Sequence, residues 1–318
     1  MGKCLSFPPG EKPVGSVADM LPSAVRSATA ILERPGLAGF KIVADTVAFR
    51  LRNLEMANLA GATSIALALH LPWPEVLYRT AFAFALNAFV YLNNDYLDVA
   101  DDLKDSTRNT QKTRFLAEHL DAALAAQWGL LALLLGMALA FEVELLAALV
   151  LGGGTCVWYS RQLKRVPFVD VVAMAVWGLA MPLCGVPLGS ALGWCLTLQL
   201  GAFAAVYETI QVMRDTDADT AAGIRTTGVV LGRERTRLLS RSLMVLACVF
   251  AALVLHPLTA LLAAGALLVP LDRGDMEQRW TRVKLAYGAA WLFTCTWVFA
   301  SGRSAGLLWS IAAGPAAP

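Results

Sequence analysis

Polar residues break the chain at fairly regular intervals, and the apolar runs between them have the length that a bilayer demands. A transmembrane helix needs about 20 mostly apolar residues. By that measure the sequence predicts nine helices, at approximately 54–71, 76–97, 121–141, 144–160, 169–188, 191–213, 236–255, 257–271 and 283–301. The eighth is short for a bilayer and relies on its neighbours. Residues 1–50 are more polar and read as a surface or interfacial segment, amphipathic from Phe40 to Arg52. The expected fold is therefore all-α, a polytopic membrane bundle forming a single transmembrane domain over 51–318.

Composition agrees with this pattern. Of the 318 residues, 57% are hydrophobic and 16% charged, and the mean hydropathy is +0.58. A soluble domain carries about 25% charged residues, so disorder, collagen and small disulfide scaffolds are excluded together with an ordinary soluble enzyme. The net charge of +2 gives no reason to expect a nucleic-acid partner, and nothing in the pattern points to a protein partner. The six cysteines (Cys4, Cys156, Cys184, Cys195, Cys248, Cys295) are scattered, five of them in apolar runs, which predicts neither a disulfide framework nor a zinc site. Met1-Gly2-Lys3-Cys4-Leu5-Ser6 matches a myristoylation pattern with an adjacent acylatable cysteine, but so short a pattern assigns no lipid by itself. The first 35 residues lack the continuous apolar core of a cleavable signal peptide.

Charge placement gives an orientation. All of the 26 basic residues except Arg79 and Arg303 fall in the N-terminal segment or in the loops after helices 2, 4, 6 and 8. Basic loops remain cytoplasmic, which predicts a cytoplasmic N-terminus, the C-terminus on the opposite side, and an odd number of helices.

Acidic residues are rare in the apolar runs, so their clustering is informative. Helix 2 ends in Asn94-Asp95-Tyr96-Leu97-Asp98 and continues to Asp101-Asp102, placing Asp95, Asp98 and Asp102 on one helical face. Helix 6 ends in Arg214-Asp215-Thr216-Asp217-Ala218-Asp219, with Asp215 and Asp219 one turn apart. Asp101 and Asp217 fall off these faces. Stacked like charges oppose each other, and a helix C-terminus is already negative. The two effects have the same sign and call for a compensating cation. Oxygen donors without His or Cys select a hard ion, and Mg²⁺ is commonly shared between carboxylates and substrate phosphates. Arg108 and Lys112 after the first cluster, Lys164 and Arg165 after helix 4, and Arg225 after the second cluster suit those phosphates. A diphosphate bridged by Mg²⁺ between two aspartate clusters is the economical reading.

These residues also resemble a family. Asn94-Asp95-x-x-Asp98-x-x-x-Asp102 is similar to the NDxxDxxxD motif of the UbiA superfamily of intramembrane prenyltransferases. Asp215-x-x-x-Asp219-x-x-x-Gly223, continuing through Arg225-Thr226-Thr227-Gly228, resembles its second motif. Tyr159-Ser160-x-x-Leu163-Lys164-Arg165 is similar to its YxxxLKR-type segment, and the resemblance spans about 90–280. It implies a nine-helix bundle around a central cavity under a cytosolic cap. It also implies a Mg²⁺-bound isoprenyl diphosphate that ionises to an allylic cation, captured by an aromatic or quinone-precursor acceptor. On this reading Asn94, Asp95, Asp98, Asp102, Asp215 and Asp219 hold the metal, and Arg108, Lys112, Lys164, Arg165 and Arg225 bind the diphosphate. Asp98, Asp215, Tyr159 and Glu208 carry the catalysis.

Two polar tracks lead inward from the clusters, Glu208-Gln211-Asp215 and Asn87-Tyr91-Asn94-Asp98. An ionisable group inside the bilayer is a functional candidate. Glu208 reads either as a residue that orients or deprotonates the acceptor or as a neutral link between helices, and Asn87 and Gln211 read as links. Tyr91, Tyr159 and Trp177 are packing residues able to face a carbocation. Arg50, Arg52 and Asn53 are placed to reach the phosphate or the acceptor. A terpene cyclase using the same ionisation without an external acceptor remains the alternative. A transporter fits less well, because the clusters lie at the membrane edge.

Overall fold

The structure, a computed structural model, describes residues 35–308 apart from 53–54, 105–107, 109, 222 and 273–274. The acylation pattern at Gly2 and Cys4, and Asn53, lie outside the described residues. The described residues fold into eleven helices, with no strand among them. They are α1 (Pro35–Arg52), α2 (Ala57–Ala68), α3 (Trp73–Asp102), α4 (Gln111–Glu118) and α5 (Leu120–Ala140). Helix α6 runs over 145–161 through a π-helical turn at Leu149–Gly153. After the 3₁₀ turn Leu163–Arg165 come α7 (Val169–Ala180), α8 (Ala191–Ala221), α9 (Thr227–Phe250, prolonged to Leu255), α10 (Pro257–Ala264) and α11 (Met276–Ser301).

Each of the nine expected apolar segments contains a helix. Among the described residues, three helices are long and apolar enough to cross a membrane unaided: Leu120–Ala140, Thr227–Leu255 and Met276–Ser301. Ala57–Ala68, Val169–Gly185 and Pro257–Leu268 are apolar but shorter. Helices α3 and α8 have 30 and 31 residues. At 1.5 Å per residue each spans ~45 Å, longer than a hydrocarbon core of ~30 Å. Their C-terminal turns therefore extend past the thickness of such a core, and those turns carry the aspartates.

Three apolar cores are built on α3, α8 or both. The first joins α2, α3, α5, α6, α7 and α8 around Phe82, Leu86 and Leu134. The second joins α8 to α9–α11 around Phe203, Ile210 and Tyr287. The third packs Ala38 and Ile42 of α1 on Leu92, Leu116 and Ala123, so α1 is built into the bundle. Large apolar side chains also face outward, among them Trp128, Leu139, Leu246, Leu292 and Phe299. So extensive an apolar exterior suits lipid and not water.

At the end of the bundle away from the motifs, Arg79 is 2% exposed. Its guanidinium donates to Glu75 at 2.8 Å, Glu142 at 3.0 Å and the carbonyls of Cys184 and Val186 at 3.3 and 3.2 Å. One side chain thus ties α3 to the α5–α6 loop and to the turn after α7. Removing one member of a buried ionic set leaves the others uncompensated, at a cost of about 3–5 kcal/mol. Arg79→Ala is expected to destabilise the detergent-solubilised protein by that order, measured by thermal unfolding, with Glu142→Gln losing less because that carboxylate is partly solvated.

Candidate active site

The last turns of α3 and α8 meet the 163–165 turn and the first turn of α9 at one end of the bundle, joined there by the end of α1 and by α4. On α3, Asp95 is nearly buried and both its oxygens are engaged. Arg50 of α1 reaches one at 2.5 Å, and Lys112 of α4 reaches the other at 2.6 Å with Thr46 at 3.3 Å. Asp98, one turn on, pairs with Lys164 at 2.6 Å. Asn94 accepts a hydrogen bond from Ser160 at 2.9 Å, and Asp102 pairs with Arg108 at 3.3 Å. Asp101 and Asp217, off the motif faces, are exposed and pair with Lys104 and Arg233.

On α8, Arg214 grips Asp215 through two bonds of 2.7 and 3.0 Å and continues to Glu277 at 2.7 Å. The helix stops because Gly223 takes a left-handed φ of 69°, at which a side chain would be strained. The amides of Gly223 and Ile224 then close onto the carbonyls of Thr220 and Asp219, at 3.1 and 2.9 Å. The chain reverses immediately, and Thr226 donates to the Asp219 carboxylate at 3.0 Å. Gly228 lets α9 start against α8, since a Cβ there would lie 2.2 Å from the Val212 carbonyl oxygen. The trailing Gly and Thr residues of the second motif thus fold Asp219 back beside the start of α9.

Lys164 of the 163–165 turn bonds Asp98, while Asp219 is bonded by Thr226. Arg165 and Arg225 are exposed at the same end. Burial holds the Asp102 carboxyl above the usual range, reinforced by Asp98 and Asp95 and opposed by Arg108. Burial raises Asp219 too, with Asp215 and Asp170 adding to the effect while Thr226 and Lys164 oppose it. Further inside, Tyr159 of α6 donates to Glu208 of α8 at 2.8 Å, so Glu208 links two helices. Tyr91 donates to the Glu55 carbonyl at 2.5 Å, and its ring lies 4.7 Å from the Arg50 guanidinium. Asn87, expected to join helices, donates instead to Ala83 of its own helix.

The compensation expected from a metal ion is supplied here largely by basic side chains. Among the described residues, no three His, Cys, Asp or Glu side chains gather as a cation cage. Asp95, expected among the metal-holding residues, is bonded to Arg50, Lys112 and Thr46. Helices α1 and α4 pack on α3 and bring two cations to this buried carboxylate. The remaining oxygens still suit Mg²⁺, which typically uses one or two carboxylates plus phosphates instead of an all-protein cage. A cleft of about 650 Å³ between α9 and Pro270–Asp272 is lined by Arg235, Arg237 and Arg241 and by none of the motif residues. Sequence reading passed over Asp170, Ser160 and Arg214. Asp170 resembles an ordinary acidic residue in a first helical turn, and the partners of the other two are set by packing.

The chain is an all-helical bundle that brings two aspartate motifs and a basic turn to one end. The sequence profile of the UbiA prenyltransferase family matches residues 56–272, and the chain belongs to that family. No curated protein gives a sequence match. Among solved structures, a UbiA homolog from Archaeoglobus fulgidus bound to GPP and Mg²⁺ is similar in fold, with a TM-score of 0.54 and 17% identity over 83% of this chain and 90% of that one. The same homolog bound to DMAPP and Mg²⁺ gives a TM-score of 0.53 and 18% identity, over 80% and 87% of the two chains.

A carboxyl held above its usual range favours the fold when protonated and loses that contribution as pH rises through its raised value. Once Asp102 and Asp219 are ionised, a divalent cation relieves the cost. Mg²⁺ is therefore expected to raise the melting temperature more at neutral pH than near pH ~4, measured by thermal unfolding with and without the ion.

Proposed function

We propose that this chain transfers an isoprenyl group from an allylic isoprenyl diphosphate to an aromatic or quinone-precursor acceptor within the membrane, with Mg²⁺ as cofactor. The observation that carries this reading is the gathering of both motif ends with basic side chains, Lys164 bonded to Asp98, Arg108 paired with Asp102 and Thr226, beside Arg225, bonded to Asp219. Family membership and the GPP, DMAPP and Mg²⁺ bound to the solved homolog support it. On the same reading the nine apolar segments all span the bilayer, the shorter ones completed by their neighbours. The N-terminus and the motif end face the cytoplasm.

Asp95, Asp98, Asp102, Asp215 and Asp219, with Asn94 beside them, would hold Mg²⁺. When bound, the ion would neutralise the charge of the departing diphosphate. Lys164, Arg165, Arg225, Arg108 and Lys112 present cations to the phosphate oxygens, and Arg50 with Asp95 keeps Lys112 in position. The bond between the allylic carbon and the phosphate oxygen breaks, its electron pair leaves with diphosphate, and an allylic cation remains. The apolar interior keeps water from that cation. Electrons of the acceptor ring form the new carbon–carbon bond, and the ring proton passes to the Glu208 carboxylate, which Tyr159 orients.

Purified protein with Mg²⁺ and allylic diphosphates of increasing length, with and without aromatic acceptors, tests the reading. Acceptor-dependent diphosphate release and a prenylated ring are expected. Release without acceptor together with a cyclised product would replace it with the terpene-cyclase reading, and no Mg²⁺-dependent release from any donor would overturn both. Asp98→Ala and Asp215→Ala are each expected to lower turnover by ~10²-fold or more, with melting temperatures close to that of the parent. Full activity in both would refute the assignment of the metal-holding residues.

A further inference from the structure

Asp170 belongs to neither motif, yet it is the fully buried carboxylate of the site region, at 0% exposure. Among the described residues no lysine or arginine is paired with it. A buried charge in an apolar setting is expensive unless donors surround it, and here every donor is local to two helix starts. One oxygen accepts from the Val171 amide at 2.9 Å, within the first turn of α7, and also from the Thr227 hydroxyl. The other accepts from the Thr227 amide at 2.7 Å, at the first residue of α9. Two positive helix ends therefore converge on one carboxylate. The Thr227 hydroxyl oxygen also accepts from the Phe168 amide at 2.6 Å. Phe168 has a φ of 68°, a conformation that a bulky residue keeps only where its surroundings hold it.

This knot lies between the two loops that matter for the chemistry. Five residues before Phe168 the chain is in the 163–165 turn with Lys164, and directly before Thr227 it is in the return that carries Arg225 and Thr226, the latter bonded to Asp219. We infer that Asp170 and Thr227 form a lock joining these loops, and that Asp170 is a positioning residue which sets Lys164 and Asp219 in register for one diphosphate. The functional half of this inference rests on the prenyl-transfer reading, whereas the lock itself rests on geometry.

Two paired substitutions test it in the full-length protein. Thr227→Val removes the hydroxyl and keeps the shape, Thr227→Ser keeps the hydroxyl, and Asp170→Asn removes the charge. Hydrogen–deuterium exchange in peptides covering 162–171 and 223–230 is expected to quicken roughly tenfold in Thr227→Val and Asp170→Asn, with α5 unchanged and Thr227→Ser like the parent. The KM for the allylic diphosphate is expected to rise roughly tenfold or more in the same two variants. The Asp170→Asn/Thr227→Val double variant is expected to be no worse than either single one, because both break one network. Parental exchange in Thr227→Val would overturn the lock, and quickened exchange with an unchanged KM would overturn its positioning role. If the parent acts on no donor, the prenyl-transfer reading fails, and exchange alone then decides the lock.

Discussion

A carboxylate inside an apolar bundle has neither water nor dissolved ions to answer its charge, so the chain must bring donors to it. That constraint organises this protein. At one end Arg79 draws glutamates and carbonyls from three segments onto itself. At the other, Asp95 is answered by α1 and α4, Asp98 by the turn after α6, and Asp170 by the start of α9. Apart from Glu75, each of these partners comes from another element. Compensating the charges and assembling the bundle are therefore a single process.

The same constraint explains where the chemistry can occur. Helices α3 and α8, at 30 and 31 residues, are longer than a hydrocarbon core is thick, and their ends carry acids where lysines and arginines reach them. Below those ends the interior is lined by alanine, leucine and phenylalanine, with Tyr159 and Glu208 as a polar pair. A leaving group that needs cations and a carbocation that needs dryness can thus be served within two helical turns. The trailing residues of the second motif have a local purpose within this arrangement. Gly223 ends α8, Thr226 holds Asp219, and Gly228 lets α9 begin in contact with α8.

Much of this was legible in the sequence. The apolar runs announced the helices, and the i, i+3, i+7 spacing of Asp95, Asp98 and Asp102 announced one face. Lys164 and Lys112 were marked because cations close to acidic helix ends have an evident use. What the sequence could not display was partnership. Arg50 stood near the end of α1 without a target until α1 packed on α3 and put it against Asp95. Asp170 looked like a helix-start acid, and its link to Thr227 spans 57 positions. The π-helical turn in α6 and the short α4 likewise have no periodic signature.

By itself, the sequence determined the membrane class, the helices and the two aspartate faces, because hydrophobic period and charge spacing act over a few residues. Only the tertiary structure decided which acid meets which base. It set Arg50 and Lys112 against Asp95, Lys164 against Asp98, and Thr227 against Asp170. The reason is that electrostatics in an apolar interior act between whichever groups packing brings within a few ångströms, and packing is a property of the whole bundle.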